Sequence, residues 1–449
     1  MNRRYAWKSK IATDGAARRA PWHSSARRGA VFVATLALML AACGHGIHEA
    51  SVSRLQLRSG VSTTALAATE QLRQTQTTAE AAARARLIQM ETANWYLSRL
   101  SLDDQIGQML MNEFADGGNY VPDTAIMVER QHIGGVIVFG TNYGTFDQTR
   151  QQFQQMQAHA PIPPIIATDQ EGGSVTRISQ YFGDFPWARE LAASGDTQYA
   201  FDWGRKTALD LQQLGINADF APVVDVAMDG GGYLGWRTFS NDPTIVGRFA
   251  GAVIQGEHSV GEMTALKHYP GLGGISQDPH ETLPVNMRSL DELRQTELVP
   301  YQILIPQHPD MIMTTDILLP AIDSSLPAEL SPTLINGILR GQLGYDGVVV
   351  TDALWMGGVC HNVRGSCSYE ELGQNAVKAV LAGCDLMIAA YNSGASQVVI
   401  DTLKAAVNSG EISRARIAES VQRILMLKVK YGMLPIPPEI LAHQPLAQP

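Results

Sequence analysis

A chain of 449 residues, 45% of them hydrophobic and only 17% charged, is long enough for one large α/β barrel or for two ordinary domains with a substantial core. Its formal net charge of −9 gives an acidic surface, which argues against nucleic acid or an anionic lipid surface as the partner.

At the amino terminus, Arg3, Arg4, Lys8, Lys10, Arg18, Arg19, Arg27 and Arg28 precede an uncharged apolar run from Gly29 to Ala42. A run that short behind basic residues reads as a secretory h-region rather than a membrane span. The run ends in Leu40-Ala41-Ala42-Cys43, which resembles the lipobox of bacterial lipoproteins. That resemblance implies a signal peptide over residues 1–42 and an acylated Cys43; an ordinary signal peptide or an uncleaved anchor is the alternative. Without residues 1–42, eight positive charges and Asp14 are lost, and the charge goes from −9 to −9 − 8 + 1 = −16. Residues 43–90 are rich in Thr, Ala, Gln and Ser with few aromatics, and read as a tether that becomes helical toward "AEAAARARLIQMETANWYLSRL".

From about residue 91 to 435 a pattern repeats: a short apolar run, a loop containing glycine or proline, then an amphipathic helix. The runs are "QMLMNE", "GVIVFG", "PIIATDQ", "ADFAPVVDV", "MTALKHY", "MIMTTDI", "GVVVTDAL" and "DLMIAA". Eight short buried strands alternating with helices predict an α/β fold, a single (β/α)8 TIM-type barrel. A doubly wound sheet is the alternative, but no GxGxxG follows the first strand. Residues 436–449 are proline-rich and expected to be irregular.

Several runs end in groups that a core rejects: Glu113, Asp169, Lys267-His268, Asp316 and Asp352, with Asp225 near the end of another. In a barrel these ends converge on one mouth, so the sequence predicts a pocket lined by acids and a few bases. Such a lining suits a neutral polyhydroxylated ligand. Cys360 and Cys367 lie close together, and an exported protein can oxidise them to a disulfide; two free thiols are the alternative. Cys384, in "AGCDLMIAA", reads as a small core residue.

The stretch "KHYPGLGGISQDPHETLP" is a loop fixed by its glycines and prolines that ends by presenting His280 two residues after Asp278. Together with "ATDQEGGSVTRI", "APVVDV", "LGWRTFSNDP" and "GVVVTDALWMGG", in this order, it resembles glycoside hydrolase family 3, in particular its single-domain bacterial β-N-acetylglucosaminidases. The resemblance covers residues 100–432. It implies Asp352 as nucleophile, His280 with Asp278 as acid/base, Lys267 and His268 as binders of sugar hydroxyls and the acetamido group, Asp169 with Arg177 at the far edge of the ring, and Arg237 as a further sugar contact. The chain departs from the family pattern at Ser174, Leu272, Gly274 and Pro279.

The chemistry fits these residue types. Retaining glycoside cleavage needs a nucleophile below the anomeric carbon and an acid/base beside the leaving oxygen. Asp352 ends the stiff β-branched run "GVVV". An imidazole titrates near ~6.5, so it can both donate and accept a proton. Glu281, one residue beyond His280, is the rival acid, and Trp236 and Trp355 are candidates for stacking on sugar faces. His268 and His280 lack metal-ligand spacing, and neither metal nor cofactor is expected. The expected reading is a retaining exo-β-N-acetylglucosaminidase acting on cell-wall or related glycans. It is monomeric, exported, reaches the membrane only through its N-terminal lipid, and does not bind nucleic acid. The alternatives are a phosphorylase or β-glucosidase of the same family, or a non-catalytic lipoprotein that binds wall glycans.

Overall fold

The computed structural model describes residues 63–114, 119–227, 232–360, 365 and 367–442. The expected signal peptide and Cys43 lie outside the described residues. The chain divides between Ala83 and Arg84 into two compact units. A helix covers Thr63–Leu97, beginning well before "AEAAARARLIQMETANWYLSRL", the stretch over which the sequence predicts the tether to turn helical.

Eight strands in the second unit pair in chain order, all parallel: β1 Leu110–Glu113, β2 Gly135–Val138, β3 Ile165–Thr168, β4 Ala218–Asp219, β5 Met263–Tyr269, β6 Met311–Thr314, β7 Val348–Ala353 and β8 Leu386–Ala390. β8 returns to pair with β1, and the sheet closes into the predicted barrel. The reason lies in the strand sequences. Gly135–Val138, Ile165–Thr168 and Leu386–Ala390 are buried at every position, which an alternating strand with one wet face never is. Helices cover the outer face. Thr197–Leu214 buries Ala200, Gly204, Thr207, Ala208, Leu211 and Leu214, one stripe at helical spacing. The Asp196 carboxylate caps its start by accepting the Gln198 N–H, and Gly215, at φ 89°, takes the left-handed turn that ends it.

Two expectations need correcting. The run "ADFAPVVDV" pairs as a regular strand only over Ala218–Asp219, with an isolated bridge from Val223 to Lys267. Pro222 has no N–H to offer the ladder. The proline-rich tail is not irregular at its start: Pro438–Ala442 is a short helix, with proline where a helix tolerates it best, and Glu439 accepts a hydrogen bond from the Trp95 indole.

The opposite ends of the strands have a structural role. Asp385, fully buried just before β8, accepts from Arg340 (2.5 Å), Ser420 (2.7 Å), Arg423 (3.1 Å) and the Val349 N–H (3.0 Å). A carboxylate so completely hydrogen-bonded ties two helices to the barrel floor and leaves the chemistry to the other face.

Candidate active site

The carboxyl ends of the strands surround a cavity of about 240 Å³. Asp169, Arg177, Arg237, Lys267, His268, His280 and Asp352 all line it, among apolar walls that include Phe139, Phe220, Met313 and Trp355. These seven polar residues come from four strands, β3, β4, β5 and β7, or from the loops that follow them, so only barrel closure brings them together.

Three of the expected polar strand ends do not line the cavity. Asp225 is turned back: its Oδ2 holds His268 Nδ1 at 2.7 Å, and its Oδ1 accepts the Leu272 N–H at 2.5 Å. Asp316 is fully buried, and neither it nor Glu113, the last residue of β1, is among the lining residues. A strand end has two faces, and spacing alone does not say which side chains turn inward. Lys267 and His268, adjacent on β5, both line the cavity, although a regular strand would send them to opposite faces. The β5–β6 ladder shifts register between Leu266 and Tyr269, and irregularity of this kind re-aims side chains.

Lys267 anchors the floor of the site. Only 2% exposed, its Nζ lies 2.6 Å from Asp169 Oδ1 and 2.7 Å from Glu171 Oε1. Glu171 also accepts two parallel bonds from Arg237, at 2.7 and 2.9 Å, and Asp169 faces Arg177 at 3.6 Å. The result is an alternating chain of charges, Arg177–Asp169–Lys267–Glu171–Arg237. Burial alone would raise both carboxyls; Lys267, then Arg177 for Asp169 and Arg237 for Glu171, overcome it and hold both below the usual carboxylate range. Burial works against the Lys267 charge too, and the same two carboxylates more than offset it. Glu171 is one of the lining residues that the sequence does not single out, although it sits inside "ATDQEGGSVTRI". Gly172 and Gly173 follow it at φ 88° and 57°, and a Cβ on Gly172 would meet the Pro186 oxygen at 2.1 Å. Gln170 completes this turn by accepting the Arg177 N–H at 2.8 Å.

Asp352 stands near the end of β7, whose preceding residues Val348 to Thr351 are buried. Its Oδ1 accepts the Ala353 N–H at 2.8 Å, and Thr315 Oγ1 lies 3.5 Å from Oδ2. Facing it is the loop that carries His280. Asp278 Oδ1 accepts both the His280 main-chain N–H and Nδ1, each at 2.8 Å. Burial would raise the Asp278 carboxyl, but these two bonds bring it below its ordinary value. The loop is docked onto the turn after β7: Gly357 N–H donates to the His280 carbonyl (3.0 Å) and Gly358 N–H to the Pro279 carbonyl (3.1 Å). Side chains there would prevent the contact, since a Cβ on Gly357 would lie 2.4 Å from the Glu281 oxygen. Glu281, the rival acid, is exposed and absent from the cavity wall. Trp355, 4% exposed, is part of that wall and packs edge-on to Tyr391. Trp236 stands 57% exposed outside it. Cys360 and Cys367 are joined as a disulfide with Cα atoms 4.9 Å apart, and Cys384 is buried. Among the described residues no His/Cys/Asp/Glu cluster has the arrangement of a metal site.

Behind the site, Asp316 and Glu329 are both fully buried. Burial pushes both carboxyls up, with Asp352 adding to Asp316, which reaches about 7. Folded, Asp316 keeps its proton to about pH 7, while the unfolded chain releases it near 3.8. Folding therefore takes up a proton in that window, and the contribution falls as pH rises through it. Asp316→Asn abolishes the titration, so its stability relative to the parent should improve by about 1 kcal/mol per pH unit across the window. Urea midpoints measured between pH 5 and 8 check this; a difference that does not vary with pH rules out the buried acid.

An acid-lined, sugar-sized mouth at the carboxyl ends of a closed (β/α)8 sheet defines a barrel enzyme. Residues 101–427 match the glycosyl hydrolase family 3 N terminal domain. A β-hexosaminidase of Stenotrophomonas maltophilia is 35% identical over 272 residues, covering 59% of this chain and 78% of its own. The β-hexosaminidase LpqI of Mycobacterium tuberculosis is 31% identical over 340 residues, covering 73% and 83%. Among solved structures, a glycoside hydrolase family 3 β-N-acetylglucosaminidase from a Paenibacillus species matches with a TM-score of 0.70 at 34% identity, over 74% of this chain and 63% of that one. This chain thus spans less than two thirds of that protein. It belongs to glycosyl hydrolase family 3 and is a glycoside hydrolase.

Proposed function

We propose that the protein is a retaining exo-β-N-acetylglucosaminidase that removes terminal β-linked GlcNAc from cell-wall peptidoglycan or a related glycan. The observation that carries this reading is that Asp352 and His280 line the same cavity. In the first step the Asp352 carboxylate attacks the anomeric carbon while the bond to the leaving oxygen breaks, and His280 passes its Nε2 proton to that oxygen. Nδ1 stays on Asp278, which fixes the ring and stabilises its charge. In the second step Nε2 takes a proton from water, the water oxygen attacks the same carbon, and Asp352 leaves as the free carboxylate. Lys267, Arg177, Arg237 and His268 supply donors for sugar hydroxyls and the acetamido group, and Asp169 and Glu171 supply acceptors. Export and acylation at Cys43 belong to the same reading, supported by the apolar run and lipobox resemblance at the amino terminus.

The para-nitrophenyl β-N-acetylglucosaminide should be cleaved at least tenfold faster than the glucoside, with free GlcNAc as product in phosphate buffer; accumulation of the sugar 1-phosphate would identify a phosphorylase instead. His280→Ala should slow substrates with poor leaving groups by about 10²–10⁴-fold and activated aryl glycosides far less. Equal losses on both would reduce His280 to a binding residue.

A further inference from the structure

Tyr233, in the loop after β4, was not singled out by its sequence context. Its main-chain N–H donates to the Ile275 carbonyl at 2.8 Å, which ties this loop to the one that carries His280. Two close approaches seal the tie. A Cβ on Gly232 would meet the Ile275 oxygen at 2.7 Å, and one on Gly273 would meet the Val226 oxygen at 1.8 Å. The Tyr233 ring lines the cavity, and its hydroxyl lies 3.2 Å from His280 Nδ1.

Hydrogen counting decides what that hydroxyl does. His280 Nδ1 lies 2.8 Å from Asp278 Oδ1, and in both the neutral and charged working forms of the ring its hydrogen goes to that carboxylate. A protonated Nδ1 cannot accept, so the phenol hydrogen goes to Asp278, the remaining acceptor of the cluster. Burial first, and Asp278 in addition, push the Tyr233 hydroxyl up to about 12, so it remains a donor at any working pH. Asp278 therefore serves three donors: the ring, the His280 main chain and the phenol. Charge drawn toward the phenol is charge withheld from the imidazolium.

We propose that Tyr233 is a positioning residue that, by donating to Asp278, keeps His280 less basic than the Asp278–His280 pair alone would make it, and so a stronger acid toward poor leaving groups. The inference rests on His280 as the acid/base. The other charged groups that share the cavity with the ring are Asp352 on β7, Lys267 and His268 on β5, Asp169 and Glu171 after β3, and Arg177 and Arg237; Glu281 is its chain neighbour. Among the described residues, the polar side-chain atoms within hydrogen-bonding distance of Nδ1 are those of Asp278, which accepts its hydrogen, and Tyr233.

The test is the pH profile of kcat/KM for Tyr233→Phe, which keeps the ring and the main-chain tie and removes only the hydroxyl. With the phenol gone, the basic limb should move up by about half to one pH unit while the acidic limb stays in place. Slow-leaving substrates should lose several-fold more in kcat than activated ones. An unmoved basic limb, or one moved to lower pH, overturns the proposal. His280→Ala is run beside it. If that variant retains the parent's basic limb, the His280 assignment itself fails and the proposal falls with it. If the limb disappears, and Tyr233→Phe adds no shift in an Asp278→Asn background, the coupling runs through Asp278 as described.

Discussion

Replacing Asp352 with alanine should lower turnover of any β-GlcNAc aryl glycoside by about 10⁴-fold or more, with almost no change in stability. The two halves of this expectation have separate causes. The Asp352 carboxylate has no ion pair among the described residues; its Oδ1 accepts from its own neighbour's N–H and its Oδ2 has only a long 3.5 Å contact from the Thr315 hydroxyl, so alanine gives up little buried hydrogen bonding. The proposed reaction, in contrast, loses its attacking atom. The other carboxylates of the cavity wall, Asp169 and Glu171, are held by Lys267, Arg177 and Arg237, and offer no substitute nucleophile. Initial rates and a thermal melt on the same sample measure both halves. Activity within tenfold of the parent would remove Asp352 from the nucleophile's role, and a large drop in melting temperature would show it to be a structural acid. Quenching turnover in acid and weighing the peptide that contains Asp352 should reveal one added sugar, absent in the variant.

Lys267→Met should damage folding and function together. Its ammonium is the only cation between Asp169 and Glu171 in the alternating chain of the site floor; Lys267 and Glu171 are nearly removed from water and Asp169 is mostly so. Methionine fills the volume but leaves two carboxylates facing each other with one cation fewer. Breaking a buried pair in this way costs about 3–5 kcal/mol. Arg237 still holds Glu171 through two bonds, which puts the expected loss toward the lower figure. A second change, Glu171→Gln, removes one of the stranded charges and should recover part of the stability without recovering activity. A double variant no more stable than Lys267→Met would show that the charges were not the cause.

The fold was open to sequence reading because its two periods are local. Buried runs such as "GVIV" and "LMIAA" have no polar alternation, and the helices between them carry one apolar stripe. Strand count and order follow from that pattern. The run "ADFAPVVDV" departs from a full strand where Pro222 interrupts pairing, a signal that is local and present in the sequence. In the site, Asp352 and the Asp278/His280 pair were visible because a rigid strand ending in an acid, and a glycine-bounded loop ending in a histidine, are unusual for a core. Glu171 and Tyr233 were not, since a glutamate before two glycines and a tyrosine in a glycine-rich loop suit an ordinary turn.

The sequence by itself determined the barrel, its eight strands and the loops that carry chemistry, because hydrophobic period and turn residues act over a few positions at a time. Only the tertiary structure decided which polar strand ends face the cavity and which are consumed in holding others. Asp225 turned behind His268, Asp316 buried with Glu329, and Lys267 locked between two carboxylates are outcomes of barrel closure. Closure sets residues as far apart in the chain as Asp169 and Lys267, 98 positions, at hydrogen-bonding distance, and the desolvation it imposes leaves a charge stable only where a partner from another strand meets it.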